Sequence, residues 1–427
     1  MKLLEIKKQI ENGGFDARFC ELYDKKAVIL QRERYLSALE SFASIFGEDR
    51  EVNIYSVSGR SELAGNHTDH NCGKVIAASI NLDIIAIASK NGEGKINLKS
   101  EGYNMLSIDY SDYSEPIEKH FGTSASLIAG MCAAFKQNGH EIGGFDAYCT
   151  SSVLRGSGLS SSAAFEDMIG NILNHEYNGG TVSNVEIAQL AQYSENVFFG
   201  KPCGLMDQVA CAHGGIVAID FEDTKNPKIE KIDFDLSRAG YNLCIVDTGG
   251  NHADLTDDYA SVPAEMKSVA ALLDKTHLRL CTEEQVLANA REIREKCGDR
   301  ALMRAIHFFR ENMRVDEMKA ALMAGDLNAY FNGVLESGNS SFKYLQNVYT
   351  TKNVSEQGLS LALCLTDGFM KEREGAFRVH GGGFAGTIQA YVRERDVEEY
   401  RSLMDSVLGE GACLVLRVRL DGAIKVN

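Results

Sequence analysis

The chain has 427 residues, of which 44% are hydrophobic and 24% charged, and it carries a net charge of −16. This length exceeds what one hydrophobic core usually supports, so we expect two domains. The acidic balance argues against a general nucleic-acid or anionic-membrane partner, but it leaves room for a local site that binds a small anion.

The cysteines and the first residues indicate the compartment. Eleven cysteines are spread along the chain without a C-x-x-C pair, which favours reduced thiols over disulfides or a structural zinc. The opening stretch, MKLLEIKKQIENGG, is charged and amphipathic and lacks the apolar core of a secretion signal. No apolar run reaches the roughly 18 residues of a membrane span. We therefore predict a cytoplasmic protein without a membrane partner.

Helices and strands are both predicted in the first half of the chain. Residues 1–50 have apolar side chains at spacings of three and four, which predicts a helical N-terminal cover. Residues 52–57 alternate as a strand does, and the isoleucine- and alanine-rich run 74–90 is predicted as a strand with a helical piece. The remaining predictions are strands at 96–100, 106–110 and 144–152 and helices at 124–137 and 185–199.

The second half is predicted to combine a sheet with long helices, so that the whole chain is of the α+β class. The predicted helices span 262–296, 301–324 and 354–369, and the predicted strands span 229–235, 242–247, 377–380, 387–392 and 414–420. The last strand is predicted as an edge or half-exposed strand, with Arg417 and Arg419 facing one side. A change in composition divides the chain into an N-terminal domain, 1–225, and a C-terminal domain, 226–427.

The segment 151–166, SSVLRGSGLSSSAAFE, has the composition of a phosphate-binding loop that passes into a helix. Its glycines allow a close backbone approach to an anion, and the free N–H groups of the new helix attract negative charge. No lysine follows the last glycine, so the segment is not a Walker loop. The alternative is a loop that only caps the helix. The candidate phosphate-binding residues are Gly156, Ser157, Gly158, Leu159, Ser160, Ser161 and Ser162.

A second polar segment, NHTDHNCG at 66–73, combines histidine, aspartate, asparagine and cysteine. Transition-metal binding is one alternative, although the spacing is dense for a tetrahedral ligand set. A polar turn that caps a helix is another. The third is recognition of a hydroxyl-rich molecule such as a sugar, since these short side chains supply both donors and acceptors.

Two further segments contain turns. The stretch GKPCGLMDQVA at 200–210 presents Asp207 at the start of an apolar run, where an aspartate is usually a helix cap. The stretch GGGFAG at 381–386 lies between two predicted strands, and a tight hairpin is the simple interpretation.

Taken in order, these segments resemble the motifs of the galactokinase family of GHMP small-molecule kinases. G-S-G-L-S-S-S-A at 156–163 matches the second family motif, and G-R-S-E-L-A-G-N-H-T-D-H-N at 59–71 resembles the signature G-R-V-N-L-I-G-E-H-T-D-Y-N. C-G-L-M-D-Q at 203–208 is similar to C-G-I-M-D-Q, and H-G-G-G-F-A-G at 380–386 contains a variant of G-G-G-F-G-G. The similarity extends from about residue 50 to the end of the chain.

The resemblance implies a GHMP kinase fold with two mixed α/β domains and an active site in the cleft between them. It also implies transfer of the γ-phosphoryl group of ATP to the C1 hydroxyl of an aldose, with Mg²⁺. Asp207 would be the base and Arg60 its partner. The other residues implied are, for the sugar, Asn66, His67, Thr68, Asp69, Gly204 and Tyr259; for the nucleotide, Ser100 and residues 156–162; and for the metal, Ser162 and Glu195.

Two departures from the family pattern carry expectations. Asn66 replaces a glutamate that accepts a hydrogen bond from the C6 hydroxyl, so we expect relaxed discrimination at C6. Ala385 replaces a glycine, which would strain the loop if this position needs a positive φ. The alternatives are a sibling 1-kinase for galacturonate, fucose or arabinose, and a sensor that binds sugar and ATP without turnover. The sequence leaves a monomer and a homodimer open.

Overall fold

The computed structural model describes residues 1–113, 115–153, 158–201, 203–250 and 255–427. Its strands are β1 (Asn53–Ala64), β2 (Lys74–Lys90), β3 (Lys95–Ser100), β4 (Leu106–Asp109), β5 (Phe145–Ser151), β6 (Ile216–Asp220), β7 (Lys228–Ile232), β8 (Tyr241–Asp247), β9 (Gly375–His380), β10 (Thr387–Arg393), β11 (Cys413–Leu416) and β12 (Ile424–Lys425).

The helices surround and connect these strands. They are α1 (Leu3–Glu11), α2 (Asp16–Tyr23), α3 (Val28–Phe46), α4 (Ser124–Gln137), α5 (Ser161–Tyr177), α6 (Asn184–Tyr193), α7 (Met206–His213), α8 (Thr256–Leu272), α9 (Glu283–Ala288), α10 (Ala290–Cys297), α11 (Asp299–Ala324), α12 (Leu327–Ser340), α13 (Gly358–Met370) and α14 (Val397–Leu408). In the part of the chain that the structure describes, none of these helices has the length and apolar character that a membrane crossing needs.

The described strands form two sheets. The larger has the order β12-β1-β2-β5-β3-β4, with β6 paired to the end of β2 and β7 paired to β6. The smaller has the order β11-β8-β10-β9. Helices α4 to α7 pack on the larger sheet, whereas α1 to α3 form a separate apolar cluster on strands β1, β2 and β5. The architecture is therefore α+β with sheets and helices in both halves, as predicted.

The division at 225/226 remains a prediction, because the chain does not separate cleanly there. Strand β7, beyond residue 225, continues the larger sheet, and β12 returns from the end of the chain to pair with β1. The smaller sheet begins with β8.

Several predicted boundaries agree with the structure and others do not. Helix α4 has the predicted bounds, but residues 74–90 form one continuous strand without a helical piece, because this run pairs with β1, β5 and β6 along its length. The predicted helix 262–296 is wrong as a single element. It breaks after Leu272, and a capping box at Thr282 starts a new helix.

The prediction of an edge or half-exposed strand at 414–420 is correct only in part. Strand β11 does lie at the edge of the smaller sheet, but it is shorter than predicted. Strand β11 ends at Leu416, and Arg419 is only 1% exposed. Its guanidinium lies 3.1 Å from a carboxylate oxygen of Asp83, which also accepts hydrogen bonds from Tyr23 and Arg34 of the helical cover. This buried cluster joins the two ends of the chain to the larger sheet, and the ion pair explains why an arginine can be buried there.

Candidate active site

Strand β1 carries Arg60 into the interior beside the phosphate-loop segment. The pairing of β1 with β2 shifts register between Ser58 and Arg60, and a Cβ atom on Gly59 would lie 2.9 Å from the carbonyl oxygen of Leu159. Glycine is therefore needed at 59 for the loop to approach the strand. The backbone N–H of Arg60 donates to that carbonyl at 3.1 Å, and its guanidinium donates to the carbonyl of Gly158.

Asp207 lies in the first turn of α7 and faces Arg60. The Nε and Nη2 atoms of Arg60 lie 2.8 and 2.7 Å from Oδ1, and the Ser160 hydroxyl donates to Oδ2 at 2.5 Å. The Asp207 side chain remains 33% exposed. Burial raises its pKa, but the Arg60 charge and the hydrogen bonds from Ser160 and Arg60 outweigh burial and hold the pKa below its ordinary value. Asp207 is thus an ionised carboxylate open to a cleft.

The described part of the phosphate-loop segment leads directly into α5. Gly158 has a φ of 71° and Ser160 a φ of 60°, and the helix begins at Ser161. Its first N–H groups and its positive dipole end therefore lie beside the Arg60–Asp207 pair, which suits an anion. The side chain of Leu159 is fully buried, so only its backbone could reach a ligand. Gly156 and Ser157 lie outside the described residues.

Ser162 and Glu195 lie near each other at this end of α5. The Ser162 hydroxyl is 3.5 Å from Oε1 of Glu195, the amide of Gln208 donates to Oε2 at 2.9 Å, and Lys201 is 3.3 Å from Oε1. Among the described residues, no three His, Cys, Asp or Glu side chains are grouped to hold a metal. One carboxylate and one hydroxyl nevertheless fit Mg²⁺, which commonly takes one or two protein oxygens and completes its shell with phosphate and water.

Asp69, Gly204 and Tyr259 are grouped near Asp207. Burial raises the pKa of Tyr259, and the nearby charges of Asp69 and Asp207 raise it further. The Asp69 carboxylate lies so close to Gly204 that a Cβ atom there would be 2.5 Å from Oδ2. The Tyr259 hydroxyl is 3.1 Å from Nε2 of His70. A cavity of about 590 Å³ is lined by Asp69, His70 and Gly204, together with residues from α6 and α8.

The other residues predicted to contact the sugar are buried. Thr68 is fully buried, with its hydroxyl 2.6 Å from the carbonyl of Lys74. His67 is 4% exposed; Nε2 donates to the Gly382 carbonyl at 2.9 Å, and Nδ1 is buried without a hydrogen-bond partner among the described residues. Burial lowers the pKa of His67 to about 3, so its ring is neutral and Nδ1 can accept a ligand hydroxyl. Asn66 is completely buried.

Two further sequence expectations concern Ser100 and the glycine-rich segment. Ser100 ends β3 opposite Cys149 of β5, and its backbone carbonyl accepts from Tyr103, so the structure places it beside the strand that leads into the phosphate loop. In the glycine-rich segment, Phe384 takes a positive φ of 62°, whereas Ala385 does not. The strain expected at Ala385 is therefore absent.

The sequence analysis missed three residues of this region. Lys201 is a cation beside Glu195, and its place in the Gly200–Lys201 turn six residues after Glu195 was a usable signal. Glu62 and Asn347 contact Asn66 through hydrogen bonds. Glu62 lies only four residues before Asn66, whereas Asn347 comes from a distant part of the chain and no local pattern marks it.

Comparisons with known proteins identify the superfamily. The sequence profile of the GHMP kinases N terminal domain matches residues 126–215, which include the phosphate-loop segment and Asp207. A crystal structure of a mevalonate kinase superimposes with a TM-score of 0.59 at 16% identity, covering 86% of this chain and 98% of that one, which shows a shared fold. The chain therefore has the fold of the GHMP kinases.

More specific similarities follow. The galactokinase galactose-binding signature matches residues 40–90. Galactokinases of Lactococcus lactis subsp. lactis and Streptomyces coelicolor are each 29% identical, over 90% and 89% of this chain and 94% of each relative. The crystal structure of Lactococcus lactis galactokinase complexed with galactose matches with a TM-score of 0.77 and 25% identity, covering 92% of this chain and 100% of that one. The chain is thus similar to galactokinases over about nine-tenths of its length.

Proposed function

We propose that the protein is an ATP-dependent galactose kinase that transfers the γ-phosphoryl group of ATP to the anomeric hydroxyl of the sugar. The observation that carries this proposal is the contact between Ser160 and Asp207. It joins a carboxylate that faces the sugar side of the cleft to the N-terminal end of α5, where phosphates bind. Full-length similarity to galactokinases supports galactose as the acceptor.

Asp207 accepts the proton of the anomeric hydroxyl as that oxygen attacks the γ-phosphorus, while the bond from the γ-phosphorus to the β–γ bridging oxygen breaks and ADP leaves. Its lowered pKa keeps it ionised at neutral pH, and its exposed edge admits the hydroxyl. Arg60 fixes the carboxylate through Oδ1 and adds positive charge beside the reacting groups. Ser160 holds Oδ2 and therefore orients the acceptor atom.

The sugar and the phosphates are positioned from opposite sides. Asp69, Tyr259 and Nδ1 of His67 bind sugar hydroxyls, with Gly204 leaving room for the Asp69 carboxylate. The backbone of the phosphate-loop segment and the start of α5 bind the phosphates. Ser162 and Glu195 would hold Mg²⁺, which would supply charge neutralisation for the phosphates. Lys201, the cation beside Glu195, adds to that neutralisation.

The compartment, the domain division and the partners that the sequence predicts are also part of this proposal. We propose a cytoplasmic enzyme with two domains, 1–225 and 226–427, whose partners are sugar and ATP. The similarities do not favour the C6-altered kinases or the non-catalytic sensor. An intact Asp207–Arg60 pair also argues against loss of turnover.

A coupled assay for ADP release tests this function. The protein is incubated with ATP and Mg²⁺ and with galactose, galacturonate, fucose, arabinose or no sugar. We expect galactose to stimulate ADP release well above the sugar-free rate. No stimulation by any of these sugars would reject the kinase assignment and favour the sensor, whereas stimulation by another sugar alone would reject galactose as the acceptor.

A further inference from the structure

The glycine-rich loop 381–386, between β9 and β10, is held by side chains of the segment 66–73. The Asn66 amide donates to the carbonyl of Gly381 at 2.7 Å, and the His67 ring donates to that of Gly382 at 2.9 Å. Asn347 donates to the carbonyl of Gly382 at 3.2 Å. Two consecutive carbonyls of the loop are thus bound by side chains from elsewhere in the chain.

The hydrogen-bonding capacity of Asn66 is fully used within the protein. Besides Gly381, its Nδ2 donates to Oε1 of Glu62 at 3.2 Å. Its Oδ1 accepts from Nδ2 of Asn347 at 2.8 Å and from the Ser341 hydroxyl at 3.3 Å. A primary amide offers two donor hydrogens and two acceptor lone pairs, and each has a partner here. Since Asn66 is also completely buried, none of its polar atoms is free to contact a sugar.

Glu62 sets the orientation of this amide. Its Oε1 accepts from Nη2 of the buried Arg378 at 2.7 Å, and Arg378 also donates to the Ser337 hydroxyl at 3.0 Å. Because this acceptor is fixed beside Asn66, it favours the amide orientation in which Nδ2 points toward Glu62. In the same orientation, Nδ2 also points toward the carbonyl of Gly381. The buried carboxylate therefore selects the orientation that binds the loop.

The loop reaches both halves of the active site. The ring of Tyr259 lies against Gly382, where a Cβ atom would be 2.4 Å from it. At the other side, His380 and Thr387 flank the loop, and each has an atom 3.4 Å from the Cβ position of Gly158 in the phosphate-loop segment. Displacement of the loop would therefore move residues on the sugar side and on the phosphate side together.

We propose that Asn66 is a positioning residue, oriented by Glu62, which holds the glycine-rich loop against the segment 66–73 and does not itself contact the sugar. The proposal rests on the proposed function for its kinetic consequence. It replaces the expectation, drawn from the sequence, that Asn66 governs discrimination at C6.

Kinetics across several sugars separate the two roles. In Asn66→Ala, we expect kcat/KM to fall roughly 10-fold or more, because a lost loop contact misplaces groups on both sides of the cleft. We expect kcat/KM to fall by the same factor for galactose, fucose and arabinose, since no sugar atom loses a hydrogen-bond partner. A fall larger for galactose than for a sugar without the C6 hydroxyl by more than about 5-fold would overturn the proposal, because a lost direct contact penalises only sugars that make it.

A double-mutant cycle tests whether the effect passes through the loop. Asn347→Ala removes the other amide that binds Gly382, so we expect it to reproduce the uniform loss. The double variant with Asn66→Ala should be about as impaired as the worse single variant, because both act on one loop. Independent, additive losses would contradict a shared mechanism. Asn332→Ala, an exposed asparagine on α12, is the matched control and should retain parental kinetics.

Hydrogen–deuterium exchange gives a readout that does not need turnover. We expect peptides containing 381–386 to exchange faster in Asn66→Ala than in the parent, with exchange in the helical cover 3–46 unchanged. Unchanged exchange in the loop would overturn the proposal even in an inactive protein. If the parent is inactive but the loop peptides exchange faster in Asn66→Ala, the proposed function is rejected and the positioning role of Asn66 is retained.

Discussion

Two aspartates in this molecule are paired with buried arginines, and their surroundings give them different roles. Asp83 is completely buried, and its oxygens accept from Arg34 at 2.6 Å, from Tyr23 at 2.5 Å, from Arg419 at 3.1 Å and from Ser56. Asp207 is held by Arg60 and Ser160 but remains one-third exposed to the cleft.

An ion pair with an arginine therefore does not by itself mark a catalytic aspartate. Burial opposes ionisation at both sites, yet neighbouring arginines and hydrogen bonds hold the pKa of both carboxyl groups below the ordinary value. The difference is access. All the partners of Asp83 come from within the protein and join α2, α3, β1 and the C-terminal segment, whereas Asp207 retains an open edge. We therefore propose a stabilising role for Asp83 and proton transfer for Asp207.

The largest expected effect on stability follows from Asp83→Asn. The change leaves Arg34 and Arg419 buried without their counter-charge, which typically costs about 3–5 kcal/mol. Urea unfolding monitored by circular dichroism should show this loss in the free energy of unfolding. At a temperature where the variant is folded, kcat should stay within about 2-fold of the parent. A variant with parental stability would contradict the assignment of Asp83.

Asp207→Asn is the reciprocal test. The amide keeps the shape of the side chain but cannot accept the proton, so we expect kcat to fall by roughly 10²-fold or more, equivalent to about 2.7 kcal/mol. ATP binding measured by calorimetry and the urea midpoint should remain near the parental values. Retention of kcat within a few-fold would make Asp207 a helix cap and not a base.

Ser160→Ala should have a smaller effect on the same carboxylate. Losing a hydrogen bond to a charged group costs about 1.5 kcal/mol at a partly exposed site, which corresponds to roughly 10-fold in kcat/KM. Steady-state kinetics would measure this, with the exposed Ser406→Ala as a control. Equal kinetics in the two variants would show that Ser160 does not orient the base.

The pH dependence of the free energy of unfolding should distinguish Asp83, whose pKa is lowered, from a carboxyl group whose pKa is raised by burial alone. Because its folded pKa is lowered, its contribution to stability is fully present above the unfolded pKa of about 4 and is lost as the pH falls through the folded value. The urea midpoint of the parent should therefore decline below about pH 4, and that decline should be weaker in Asp83→Asn. Identical declines in both proteins would assign acid sensitivity to other groups.

Local sequence patterns predicted much of the region around Asp207 but little of the cluster around Asp83. The bounds of α4 and the course of the phosphate-loop segment follow from helical periodicity and turn residues, and the order of motifs drew attention to Asp207 and Arg60. The Asp83 cluster depends on contacts over hundreds of residues, such as that with Arg419, which periodicity placed in an edge or half-exposed strand. Asn66 shows the same limit, because a motif position cannot reveal that partners such as Asn347 take up its amide.

The most direct test of the account is identification of the product by phosphorus NMR. The parent is incubated with ATP, Mg²⁺ and galactose, in parallel with Asp207→Asn and Asp83→Asn. We predict a sugar phosphate esterified at the anomeric oxygen in the parent and in folded Asp83→Asn, and only a trace in Asp207→Asn over the same time. A product phosphorylated at another carbon, or the same yield from Asp207→Asn as from the parent, would contradict the account.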